Sequence, residues 1–239
     1  MDISDSCLYI IRYKPKLRIV MVIKLEEKIK EACPMVRIGL IRANVVNTET
    51  SDELWGELQS MSDKIRKSYE LSWINKRPAI VATRELYKKM GKDPNRYRVA
   101  SEALCRRVVK GQDLYRINAL VDLINLVSMG SGYAIGGFDA DKIEGESVVL
   151  GIGRPGEQFE GIGRGLLNID GLPVYRDARG PIGSPTSDEE RTKITLSTSH
   201  IQMQINAFAE EMPLEETIDW SVGLLAKYVS ATNFEIQIF

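Results

Sequence analysis

An apolar stretch from Asn118 to Met129 sets Ala119, Leu120, Val121, Leu123, Ile124, Leu126 and Val127 around nearly every side of a helix. A helix without a polar face belongs in the middle of a domain. Asp122, Asn125 and Ser128 interrupt it every third residue and therefore share one side. Burying such groups is costly unless each finds a hydrogen bond, so the fold has to supply partners. The glycine-rich segment Gly130 to Gly137 then predicts a sharp corner before Phe138-Asp139. Together these patterns predict one wall of a pocket, built from Asn118, Asp122, Asn125 and Ser128 with Gly136, Gly137, Phe138 and Asp139 at its mouth. The plainer alternative is that Asp122 and Asn125 tie neighbouring loops.

The remaining periodicities surround that helix with mixed elements. Val22 to Cys33 reads as a short helix stopped at Pro34, and 35–46 alternates as a strand with a bulge near Leu40-Ile41. Thr50 and Glu53 form a capping box ahead of a helix over 51–70. Pro78 opens another helix that Gly91 closes, and Ser101 to Lys110 makes a third, stopped at Gly111. Further on, 147–152 reads as a strand and 166–175 as a hairpin turning at Asp170-Gly171. Residues 180–190 read as a loop, 192–198 and 201–205 as strands, 214–229 as an amphipathic helix and 234–238 as a last strand. With no regular βαβ rhythm, the class is α+β: mixed sheets packed with helices around one buried central helix.

Composition narrows the field of functions. The 239 residues carry a net charge of −1, with 44% hydrophobic and 27% charged residues, as in an ordinary globular protein. The charge is uneven: Arg84 to Arg116 holds ten basic and four acidic residues, Gly137 to Glu190 eleven acidic and five basic. One face is thus expected to be basic, unless the two regions pair across the fold. Cys7, Cys33 and Cys105 are far apart, and His200 is the single histidine. No metal, cofactor or disulfide framework is expected from them, and the cytoplasm is the expected compartment. No apolar run is long enough to cross a membrane. Residues 1–20 read as a loosely packed extension, with 21–239 as a single domain. A Ser–His–Asp triad would have to use His200. The string Gly151 to Gly156 matches G-x-G-x-x-G, but Pro155 and the residues after it make a poor helix, which argues against a dinucleotide site.

The string from Val121 to Ile143, VDLINLVSMGSGYAIGGFDADKI, resembles the signature of the tRNA-binding and editing domain of the phenylalanyl-tRNA synthetase beta subunit. It resembles still more closely the free-standing relatives of that domain. Further matches are Asp93-Pro94, Tyr97-Arg98, 101–104, 106–108, 156–159 and 174–177, so the resemblance covers about residues 70 to 200. It implies the fold of that editing domain and a tRNA or aminoacyl-tRNA partner. It also implies a deacylase acting in trans on the ester of a misacylated tRNA, and no ligase activity by itself. Lys88, Lys89, Arg96, Arg98, Arg106 and Arg107 become the expected tRNA-facing residues. The editing pattern departs at two places: Gly136 stands where the family has His, and Leu172-Pro173 follows Asp170-Gly171 where it has Glu. That leaves Glu157, Asp188, Thr195 and Thr198 as candidate catalytic groups. The alternative is a non-catalytic binder of a free amino acid or similar small ligand.

Overall fold

A computed structural model describes residues 21–239; the expectation for 1–20 lies outside the described residues. Its elements, in order, are β1 (Val22–Leu25), α1 (Glu27–Ala32), β2 (Arg37–Asn44), α2 (Asp52–Ser68), α3 (Pro78–Lys89) and α4 (Ala100–Val109). Next come α5 (Ala119–Ser131), β3 (Ala134–Asp139), β4 (Ser147–Ile152), β5 (Glu160–Gly161) and β6 (Gly165–Leu166). The chain continues through β7 (Pro173–Arg176), β8 (Pro181–Ser184), β9 (Ser187–Asp188), β10 (His200–Ala207), α6 (Leu214–Val229) and β11 (Thr232–Ile238). The class is α+β, as the sequence predicts.

Two sheets carry the fold. One has the order β11-β2-β10-β3, the other β1-β4-β7-β8-β9, and β5 pairs with β6 as a small ribbon. Strand β10 lies at the centre of the first sheet. Its Ile201, Met203, Ile205 and Ala207 pack with Ile41, Ala43, Leu123, Leu126, Val127 and Leu225, which fills the space between that sheet and α2, α5 and α6. On the opposite face, Ile38, Leu40 and Phe138 pack against Val148, Leu150, Tyr175 and Ile182 of the second sheet. Helices, first sheet and second sheet therefore form three layers, with β2, β10 and β3 buried on both faces and β11 at the exposed edge.

The central helix α5 is buried on most of its length, as its apolar pattern requires. Its first turn is held from outside. The Asn118 side chain accepts from the Val121 N–H at 3.1 Å, and Asn47 both donates to Asn118 Oδ1 and accepts from the Leu120 N–H. Asp122 accepts from the Thr50 hydroxyl and from the Ile117 N–H. Burial pushes the Asp122 carboxyl up, against the pull of those two donors and of Arg116. Asp122 thus ties the Thr50 and Ile117 loops to α5. At the other end Ser128 donates to the Tyr133 carbonyl at 2.7 Å, and Gly132 turns the chain at φ +80°. That conformation suits glycine because it has no Cβ.

Several local expectations are corrected. Val22 to Leu25 is a strand, drawn into parallel pairing with β4, and only Glu27–Ala32 is helical. The residue capping α2 is Ser51, which accepts from the Leu54 N–H, because Thr50 is engaged with Asp122. The pairing of β2 with β10 runs unbroken, and the register shift falls on β11 between Thr232 and Glu235. Residues 166–169 do not pair with β7; instead Gly153 donates to the Leu172 carbonyl and accepts from the Gly171 N–H, and β7 pairs with β4 and β8. The expected loop over 180–190 contains the β8–β9 hairpin, and 192–198 is not a strand. The glycine corner is also shorter than expected: it ends at Gly132, and Gly136 and Gly137 lie inside β3.

Candidate functional site

In a strand that separates two buried layers, polar residues on one face must point into the protein. Gln202, Gln204 and Asn206 alternate with the apolar residues of β10, and all three are buried. They share their face with Arg42, Leu40 and Ile38 of β2 and with Phe138, Gly136 and Ala134 of β3, their cross-strand partners. Asn206 is satisfied, accepting from the Tyr175 hydroxyl at 2.5 Å and donating to the Ala134 carbonyl at 2.7 Å. Gln202 and Gln204 are not: neither amide nitrogen nor oxygen has a hydrogen-bond partner. Each such orphan costs roughly 1–3 kcal/mol when left unmet. Such orphans are the exception in folded proteins, and both side chains here are fully buried.

Asp188 of β9 reaches the same space. Its Oδ2 accepts from the Gly137 N–H at 3.1 Å. A Cβ built on Gly136 would stand 3.6 Å from Asp188 Oδ1 and 2.8 Å from Phe138 Cζ. One on Gly183 would meet the same two groups at 2.6 and 2.7 Å. Glycine at both positions therefore makes room for the phenyl ring and the carboxylate. The residue is only partly covered, yet its carboxylate is enclosed between the sheets. Burial pushes its pKa up to about 7, with the Gly137 N–H pulling the other way.

A stability test follows from the sign of that shift. The folded chain holds the Asp188 proton from about pH 4 to about pH 7, a range in which an unfolded aspartate has lost it. Stability therefore falls as pH rises through this window, and the loss is complete above it. Asp188→Asn is expected to raise unfolding stability at pH 8 by about 1–3 kcal/mol and to change little at pH 4. Urea melts at both pH values check this, and a variant equally stabilised at both would refute it.

The sequence-predicted pocket residues divide into two groups. Gly136 and Phe138 border the space between the sheets, and Gly137 reaches it only through its N–H. Asn118, Asp122 and Ser128 hold the ends and flank of α5, and Asn125 is half-buried on it. Gly137 faces α5, since a Cβ there would lie 2.5 Å from Ile124 Cδ1. Asp139 accepts from the Thr198 hydroxyl at 2.9 Å and pairs with Lys142. The candidate catalytic groups have separate partners, with Asp188 on the Gly137 N–H. Glu157 is bound by both Arg176 Nε and Nη2, which holds its carboxyl low against burial. Thr195 and Thr198 bond each other through the Thr195 N–H. An open cleft of about 430 Å³ lies between 155–159 and 166–170, at a distance in sequence from α5. His200 forms no triad: Asp141 at 2.7 Å and Ser199 at 3.2 Å both meet its Nδ1, whereas a triad needs the base to use opposite nitrogens.

The basic segment is partly consumed by the fold. Buried Glu102 pairs with Arg84 at 2.9 Å, Arg98 at 3.6 Å and Arg106 at 3.8 Å. Lys88 pairs with Glu85, and Lys89 donates to the Ala32 carbonyl. Arg96 and Arg107 instead overlie aromatic rings, Tyr97 at 5.7 Å and Tyr115 at 4.3 Å. Sequence reasoning missed Gln202 and Gln204, whose signal was their place in an alternating strand.

The described residues thus form a three-layer α+β fold with a buried polar cluster between its two sheets. Residues 82–215 match the sequence model of the B3/4 domain, and the chain belongs to that family, which occurs in the phenylalanyl-tRNA synthetase beta subunit. A similar solved structure is an N-terminal fragment of the phenylalanyl-tRNA synthetase beta subunit from Pyrococcus horikoshii. It is 14% identical, with a TM-score of 0.46, over 94% of this chain and 52% of that one. The chain thus spans about half the length of that fragment. No curated protein matches it. Among the described residues no helix is long and apolar enough to cross a membrane, and no cluster of His, Cys, Asp and Glu could hold a metal.

Proposed function

We propose that this chain binds aminoacyl-tRNA in the cytoplasm and hydrolyses the ester of a misacylated tRNA in trans. The observation that supports it is the pair of unpartnered amides on β10, Gln202 and Gln204, across from Phe138 and Gly136 of β3, with the Asp188 carboxylate set against the Gly136–Gly137 backbone. An aminoacyl ester is labile, so a site needs chiefly a held substrate and a positioned water. The two amides offer two acceptors and four N–H donors for an ester carbonyl, an ammonium or a water. Asp188, poised near neutral pH, is suited to take a proton from that water. The water oxygen bonds the ester carbonyl carbon, the bond to the ribose oxygen breaks, and the proton passes to that leaving oxygen.

Deacylation of a panel of misacylated tRNAs tests the reading. At least one substrate is expected to turn over with a rate that rises through about pH 7, and Asp188→Asn should lower that rate roughly 100-fold and flatten the profile. A parent that deacylates none of them loses the hydrolase reading. The replacement of the family's His by Gly136 favours binding of a free amino acid without turnover as the second reading, and calorimetry with free amino acids separates it.

A further inference from the structure

We infer that the corner formed by Trp73 and Tyr115 is a stacking surface for unpaired nucleotides. The tRNA reading supplies its natural partner, but its chemistry stands apart from the space between the sheets. Two features mark it. Trp73 is 55% and Tyr115 68% exposed, high for rings of this size. Each is covered on one side by a cation: Lys76 Nζ lies 4.0 Å from the Trp73 ring centre, and the Arg107 guanidinium 4.3 Å from that of Tyr115.

Two hydrogen bonds tie the segment before Trp73 and the end of α2 to α4. Arg106 donates to the Leu71 carbonyl at 3.2 Å, two residues before Trp73, and Arg66 donates to the Val108 carbonyl at 3.3 Å. Arg107 then reaches the Asp113 carbonyl at 2.6 Å, which fixes the loop that presents Tyr115. The segment from Asp63 to Lys76 holds four basic and two acidic residues, and that from Arg106 to Arg116 holds four basic and one acidic. Arg66 is paired with Asp63, Arg106 with Glu102 and Arg116 with Asp52, and Lys64, Lys67, Lys76, Arg107 and Lys110 remain as the positive charge of these segments.

A ring with a cation on one face offers the other to a π-system, and the same cation meets a phosphate. Every base has such a face, so the ligand class is a single-stranded nucleic acid, recognised by stacking and charge. An acidic protein would satisfy the charges but leave both rings exposed to water. A duplex would bury its bases away from them.

The test is fluorescence anisotropy with a labelled single-stranded RNA octamer, an abasic octamer of the same length, and whole tRNA. The parent is expected to bind the RNA octamer well above the abasic one. Trp73→Ala and Tyr115→Ala are each expected to weaken the octamer by about tenfold, from lost stacking. Both rings are exposed, so the variants should fold, and matching circular dichroism and melting curves establish this. Equal affinity for the abasic strand would reduce the corner to a charged patch and overturn the inference, as would octamer binding indifferent to both substitutions. If tRNA binds the parent and the double variant alike, the corner fails while the aminoacyl-tRNA reading stands. Octamer binding that depends on the rings, without binding of tRNA, upholds the corner and removes that reading.

Discussion

Replacing Glu102 by Ala should destabilise the fold by about 3–5 kcal/mol, the range found when one partner of a buried ion pair is removed. Glu102 is 2% exposed and answers three guanidinium groups, of which Arg84 is itself buried. Without it Arg84 keeps only the Pro94 carbonyl and Asn95 Oδ1 as partners, and its charge is uncompensated. Glu102→Gln retains an acceptor and should cost about half as much. Urea melts followed by circular dichroism measure both. A loss below about 1 kcal/mol for the alanine variant would place the ion cluster on the exposed surface. The change also removes a negative charge from α4, so the molecules that remain folded should bind polyanions no more weakly than the parent.

Arg77→Ala should be comparably damaging, at about 3–5 kcal/mol. The last carbonyls of a helix have no partner within it. Arg77 closes α5 from outside, donating to the Met129 carbonyl at 2.7 Å and to that of Gly130 at 3.1 Å, while Nε bonds Glu211 at 2.7 Å. Its loss strands two carbonyls and leaves the Glu211 carboxylate with only the Ala79 N–H. Lysine keeps the charge but cannot span three acceptors with a rigid fork, so Arg77→Lys should recover less than half of the loss. Hydrogen exchange gives the local signature: faster exchange in the last turn of α5 before global unfolding. Unchanged exchange there in Arg77→Ala would show that the helix end is held by something else.

How far the chain was legible follows from these elements. Helix α5 could be read because its apolar residues leave no polar face, and α6 because its period and ends agree. Strand β10 was legible as a strand but not in its meaning. Ile201, Met203 and Ile205 alternating with Gln202, Gln204 and Asn206 look like a sheet with one wet face. The second sheet covers that face, and nothing local announces a third layer. The β8–β9 hairpin was hidden because Gly, Pro, Ser and Thr carry little strand propensity, and its pairing is supplied by the neighbouring β7. Thr50 looked like a cap because its spacing to Glu53 fits one; Asp122, 72 positions away, has the stronger claim on its hydroxyl. Trp73 and Tyr115 stood alone in the sequence and acquired significance only when α4 brought Arg107 and Leu71 to one corner.

The order β11-β2-β10-β3 also sets a timetable for the newborn chain. The antiparallel partner of β2 in β10 lies more than 150 positions further along, and β11 comes later still. At roughly 5–20 residues per second of synthesis, β2 waits on the order of ten seconds or longer for its neighbours. Throughout that interval the run Ile38 to Ile41 is an open edge that other chains can join. Such distant pairing is slow even after release, since loop closure precedes any reward from contact. The yield of this protein in a cell should thus depend on translation speed and on chaperones that shield β2.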